Sequence, residues 1–117
     1  MSNDGELYVR LGQANINLEH WAEAAAAIRE GLKQGGLKRT DQANIMLGMA
    51  LFNQKRLEQA RRAFQAAQSD NRSKRAAQQW IAYVDSEIKR RDLLNQDVEE
   101  YQPRERDDLL DVVEGQQ

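Results

Sequence analysis

His20 is the only histidine, and the chain has no cysteine. One imidazole without thiolates cannot assemble a common zinc site, and no disulfide or cysteine nucleophile can form. Ser2, Ser69, Ser73 and Ser86 fall in no nucleophile motif, and the many carboxylates form no spaced pair that would divide acid and base work. Gly35-Gly36 has no following Lys-Ser/Thr, so it is a helix stop rather than a phosphate loop. His20 is expected in a solvent-exposed turn. Catalysis and cofactors are therefore not expected, and the side chains left to carry function are apolar and amide groups suited to binding.

The elements that must position them are helical. The chain has 117 residues, one proline and 31% charged residues, with abundant Ala, Gln, Leu, Arg and Glu. That mix describes one small helical domain and argues against sheet. A net charge of −2 produces no strong overall field towards nucleic acid or membrane. No stretch reaches the ~20 apolar residues of a membrane span, and no signal peptide opens the sequence.

An internal repeat organises the chain. Leu11-Gly12 and Leu47-Gly48 lie 36 positions apart, as do Trp21 and Leu57, Ala24 and Ala60, and Ile28 and Phe64. A mid-helix glycine costs roughly 1 kcal/mol against alanine, so it is kept where another backbone approaches closely. Ala24 and Ala60 would supply the small residue on the second helix of each pair, letting two antiparallel helices cross tightly.

The periodicity predicts helices over residues 6–18, 21–34, 40–53, 56–69 and 74–94. Gly35-Gly36 ends the second, and Thr40 is the expected N-cap of the third, with Asp41 favourable in its first turn. Asn71 or Ser73 would cap the fifth, whose apolar stripe is Ala77, Trp80, Ile81, Val84 and Ile88. Residues 1–5 read as a disordered start. From Asn95 the composition turns acidic and Pro103 stops any helix, so 95–117 read as a flexible tail. Its apolar knot Leu109–Val113 could form a helical turn and lie in the groove of its own or a neighbouring molecule.

The pattern resembles the tetratricopeptide repeat, W-x-x-L-G-x-x-Y followed by A, F and A at fixed offsets. The matching residues are Tyr8, Leu11, Gly12, Trp21, Ala24 and Ile28, then Leu47, Gly48, Leu51, Leu57, Ala60, Phe64 and Ala67. Asn15 and Asn44 stand where the family has aromatics, Gly31 stands for its alanine, and the closing proline is absent from both copies. The resemblance implies an all-α, right-handed superhelix of antiparallel helix pairs: repeats at 6–38 and 39–72, then a capping helix at 73–94. It also implies a concave groove lined by Glu6, Val9, Gln13, Ile16, Asn17, Gln42, Ile45, Met49, Phe52 and Asn53, with Tyr83 added from the fifth helix. Such an apolar strip flanked by amides suits a peptide or partner protein.

Gly35-Gly36-Leu37-Lys38-Arg39, Gly48–Asn53 and Ala76–Ile81 further resemble the C-terminal part of tetratricopeptide proteins found alongside TonB energy-transduction systems of Gram-negative bacteria. That likeness spans roughly residues 5–92 and implies a scaffold in the cell envelope, periplasmic, serving TonB-dependent uptake. Without it the chain would be placed in the cytoplasm.

The expected function is non-enzymatic protein or peptide binding, with no small-molecule substrate and no membrane insertion. Two repeats and a cap fall short of the usual three. The chain is thus expected to be one end of a longer array or to gain burial by self-association, for instance as a homodimer. A third reading uses the basic residues Arg61-Arg62, Arg72, Lys74-Arg75 and Lys89-Arg90-Arg91 for nucleic acid. Without aromatic interleaving they read better as a solvated helix face.

Overall fold

The computed structural model describes residues 4–100, with side chains to Gln96; the knot at Leu109–Val113 and Pro103 lie outside the described residues. Five helices follow one another: α1 (Asp4–Asn17), α2 (Trp21–Gln34), α3 (Thr40–Asn53), α4 (Leu57–Gln68) and α5 (Asn71–Glu100). No strand occurs among the described residues, so the all-α class holds. Contacts divide the chain into Met1–Glu87 and Ile88–Gln117. In the latter, Arg91 bonds Asp92 at 3.0 Å, and Leu93 and Leu94 are exposed.

Within Met1–Glu87, α1 lies against α2 and α3 against α4, each pair joined by three residues. The glycines fix how closely they approach. A Cβ on Gly12 would collide with the Ile28 side chain, and one on Gly48 would sit 2.5 Å from the Phe64 ring. At the start of α1, a Cβ on Gly5 would lie 2.5 Å from the Gly35 carbonyl. The start of α1 thus meets the end of α2 and its middle meets the middle, which makes the pair antiparallel. Gly31 is equally tight against Val9, whose Cγ2 is 2.8 Å from a built Cβ.

The 36-residue period recurs in the turns. Glu19 and Lys55 both adopt positive φ, 60° and 63°. The Glu19 N–H bonds the Ile16 carbonyl and the Lys55 N–H that of Phe52, both at 2.9 Å. His20 and Arg56 then bond back to Asn15 and Leu51. Between the hairpins, Gly35 and Gly36 at φ 77° and 69° reverse the chain.

The core is Ala24, Ala25, Ala27 and Ile28 from α2, Ala43, Leu47, Ala50 and Leu51 from α3, Leu57, Ala60, Ala63, Phe64 and Ala67 from α4, and Ala77 and Val84 from α5. Small residues dominate, so the helices are close and little side-chain entropy is lost on burial. The Phe64 ring is fully buried.

Two expectations about helix starts are corrected. Thr40 is the first residue of α3 rather than its cap, and Arg39 precedes it without capping through its side chain. Asp70, not Asn71 or Ser73, closes the start of α5: its Oδ1 accepts the Arg72 N–H at 2.8 Å. Ser73 instead donates to Asp41 Oδ2 at 2.5 Å, tying the starts of α3 and α5. Asp41 is buried and also accepts Arg39 Nε at 3.0 Å and Nη2 at 2.7 Å. Arg72 Nη2 stands 3.8 Å away while bonding Asp70 at 2.8 Å. The helices also overrun two expected margins. α1 begins at Asp4 with Gly5 buried, and α5 continues to Glu100, beyond the 73–94 read from periodicity.

Gly48→Ala gains about 1 kcal/mol of helix propensity but forces a methyl into the Phe64 ring at a cost of about 1–3 kcal/mol. A lower urea midpoint is expected. Gly36→Ala, with open space around its Cβ, should lose about 1 kcal/mol through backbone strain alone.

Hydrogen bonds from Arg39, aided by Ser73, hold the Asp41 carboxyl well below the ordinary range against the opposing effect of burial. A depressed folded-state pKa stabilises above the unfolded value of about 4, and that contribution is lost as pH falls through the folded value. Asp41→Asn should therefore cost about 1–3 kcal/mol at pH 7. In denaturant titrations against the parent, the difference should shrink progressively below about pH 4.

Candidate functional site

Phe64 sits under Gly48 and stacks on Trp80 of α5, with ring centroids 5.1 Å apart and planes 7° from parallel. Trp80 meets Phe52 edge-on at 5.9 Å and Tyr83 at 6.2 Å, while Phe52 and Tyr83 lie 5.2 Å apart. A buried ring thus anchors a half-buried indole, which in turn holds two rings at the surface. Tyr83 is 55% exposed.

Between these rings lies a cleft of about 410 Å³, lined by Phe52 and Asn53 from α3 and Ala76, Gln79, Trp80 and Tyr83 from α5. The α5 residues recur at steps of 3, 1 and 3, one helical face. Parallel α3 and α5 present these faces side by side, since Asp41 meets Ser73 near both starts and Phe52 meets Trp80 and Tyr83 further along. The Arg61 guanidinium braces the far side of α5 on Asp85 at 2.6 Å, and this raises the Arg61 pKa. Among the described residues no charged side chain lines the cleft. Asn53 spends one N–H on the Met49 carbonyl at 2.8 Å, which fixes the amide and leaves its oxygen available.

Of the expected groove residues, Phe52, Asn53 and Tyr83 are brought together here. Glu6, Val9 and Gln42 line a second hollow of about 240 Å³ with Leu37, Lys38, Arg39, Ala43 and Met46. There Glu6 accepts the Lys38 N–H at 2.8 Å, and Val9 also backs the α1–α2 contact at Gly31. The two hollows share no lining residue. Gln13 and Asn17 are exposed and bonded to each other at 3.2 Å. Ile16, Ile45 and Met49 are half-buried.

Ala76, Gln79 and Trp80 were outside the expected list. Their signal is the helical-face spacing with Tyr83, obscured by the alanine and glutamine among them. Other exposed apolar side chains are Leu7 and Leu11 on α1 and Leu18 just after its end, 58, 53 and 64% exposed.

Among the described residues no group of His, Cys, Asp and Glu could hold a metal ion, and no helix is long and apolar enough to cross a membrane. No protein-family model matches the chain, and no curated protein matches it.

Trp80→Ala should cost about 3 kcal/mol or more by unstacking Phe64. Tyr83→Ala should cost only about 1 kcal/mol, the value of a surface aromatic pair. Thermal unfolding of the two variants checks the order, and equal losses would show that the outer rings are not hung on the inner one.

Proposed function

We propose that this chain is a non-enzymatic binding scaffold built as a pair of tetratricopeptide-like repeats with a terminal helix, winding as a right-handed superhelix. It takes a peptide or partner protein at the α3–α5 face. The observation that carries this reading is the aromatic cleft of Phe52, Trp80 and Tyr83, whose rings remain accessible beside an oriented amide. Exposed aromatic anchors in a concave, water-excluding setting are what interfaces use for affinity. What supports a location in the cell envelope is the resemblance of Gly35–Arg39, Gly48–Asn53 and Ala76–Ile81 to TonB-associated repeat proteins.

A second reading is self-association, and it rests on a different surface. Leu7 and Leu11, four residues apart, are exposed on the outside of α1, and Leu18 follows just after its end, an apolar edge that a second helix can cover.

Capture from a bacterial envelope extract separates the two. Tyr83→Ala should abolish retention of a specific protein while leaving the circular dichroism spectrum and light-scattering mass unchanged. If instead Leu11→Glu lowers the mass and Tyr83→Ala changes nothing, self-association is the function.

A further inference from the structure

Leu7, Leu11 and Ala14 are exposed on α1, and so is Leu18 after it. The Leu18 N–H still bonds the Ala14 carbonyl at 3.2 Å, so the backbone follows the helix to that point. The 36-residue period puts Ala43, Leu47, Ala50 and Gln54 at the same positions of the second hairpin. There the first three are buried, and the Gln54 amide donates to the Trp21 carbonyl of α2 at 3.4 Å. Gly48 turns another face of α3 to α4, and Asp41 turns to α5, so this line is the one that α2 covers. Leu7, Leu11, Ala14 and Leu18 thus hold the place at which α3 receives a helix, yet they are exposed.

We propose that two copies of this chain pair through α1, antiparallel about a two-fold axis level with Gly12 and Gln13. This rests on the self-association reading above and gives it a face and an orientation. What a second copy can bring is limited. Its α2 already lies against α1 and α3, and its α4 is covered by α5 through the Phe64–Trp80 stack and the Arg61–Asp85 pair. Its α1 line is free. The steps along that line are 4, 3 and 4, which read the same in either direction. Laid antiparallel, Leu7 faces the partner's Leu18 and Leu11 faces the partner's Ala14, so the central leucine enters the space over a small side chain. The line is therefore complementary to itself, as a two-fold contact requires. A parallel pair would set leucine on leucine at one level and alanine on alanine at the next, crowding the first and leaving a void at the second. Charges beside the line are of both signs: Asp4, Glu6 and Arg10 on α1, Lys38 across a hollow of about 310 Å³ from Leu7, and Glu19 after Leu18. The proposal rests on the apolar pattern and not on them.

Sedimentation equilibrium of the full chain should show the mass rising from one chain to two. The rise should come only at high concentration, since one helix pair buries less than the ~1,200 Å² of stable complexes. Leu11→Glu, at an exposed position, should hold the mass at one chain with the circular dichroism spectrum unchanged. The chain has no cysteine, so introduced ones report the orientation. Mild oxidation of an equimolar mixture of Leu11→Cys and Ala14→Cys chains should give the mixed disulfide about tenfold over either like pair, because only the unlike positions lie opposite each other. A majority of like pairs overturns this proposal and leaves self-association standing. So does a dimer that Leu11→Glu leaves intact, which puts the contact elsewhere. A mass of one chain at every concentration overturns both. If a peptide of residues 21–34 then moves the Leu11 and Ala14 amide NMR signals, the occupant is a helix of the α2 kind rather than a second α1.

Discussion

The approach of two helix backbones across a glycine governs this structure. At Gly12 and Gly48 the missing side chain is replaced by the neighbour's, Ile28 in one hairpin and Phe64 in the other. Burying these side chains against backbone offsets the cost of glycine in a helix, because each gains contacts on every side. The consequence in the second hairpin reaches further. Phe64 is held against Gly48, and its ring stacks on Trp80. Trp80 then fixes where Phe52 and Tyr83 stand. With Ile28 at the equivalent place, the first hairpin has no ring to start such a series. The aromatic cleft therefore belongs to the second hairpin and α5 alone.

The two repeats diverge most at their first turns. Gly5 lets α1 touch the Gly35 carbonyl, a backbone contact that no side chain would permit. Its counterpart 36 residues on is Asp41, which instead reaches Ser73 on α5. The carboxylate is buried, yet three hydrogen-bonding and charged partners surround it: Arg39 through two nitrogens, Ser73 and Arg72. A buried charge so satisfied adds little net stability over an apolar pair, but it is costly to misplace. What it supplies is register. It sets how far α5 slides along α3, and hence which α5 side chains face Phe52.

This dependence explains what could be read from the sequence. The small residues at fixed spacing and the Gly35-Gly36 stop placed α2 at its observed bounds and α3 to its last residue. Local chemistry was harder to read. Thr40 and Asp41 are both good first-turn residues, and only tertiary contact with Ser73 shows that the aspartate is a partner rather than a helix-end charge. Asp70, Asn71 and Ser73 are all competent caps, and the Arg72 N–H chooses Asp70. For the site, Phe52, Asn53 and Tyr83 were legible as surface positions. Their companions on α5 were not, because the face Ala76, Gln79, Trp80 and Tyr83 mixes small, amide and aromatic side chains and carries no clean hydrophobic period. The acidic tail beyond Glu100 lies outside the described residues.

The exposed apolar groups fall into two kinds, and geometry distinguishes what each can hold. Leu7 and Leu11 stand on the outward side of α1, with Leu18 just beyond its end. Such a ridge makes few contacts with a narrow ligand and reaches useful burial only against another helix, whose side chains can interleave along its length. Tyr83 is as exposed as those leucines, but it stands beside Phe52, and Trp80 lies below both. A single side chain entering there touches three rings at once and loses its water on several sides. Dispersion grows with the number of atoms in contact. The same exposed area therefore yields more to a small anchor at the cleft than on the ridge. Partners that bring a whole helix are suited to α1, and partners that bring one side chain on an extended strand are suited to α3 and α5.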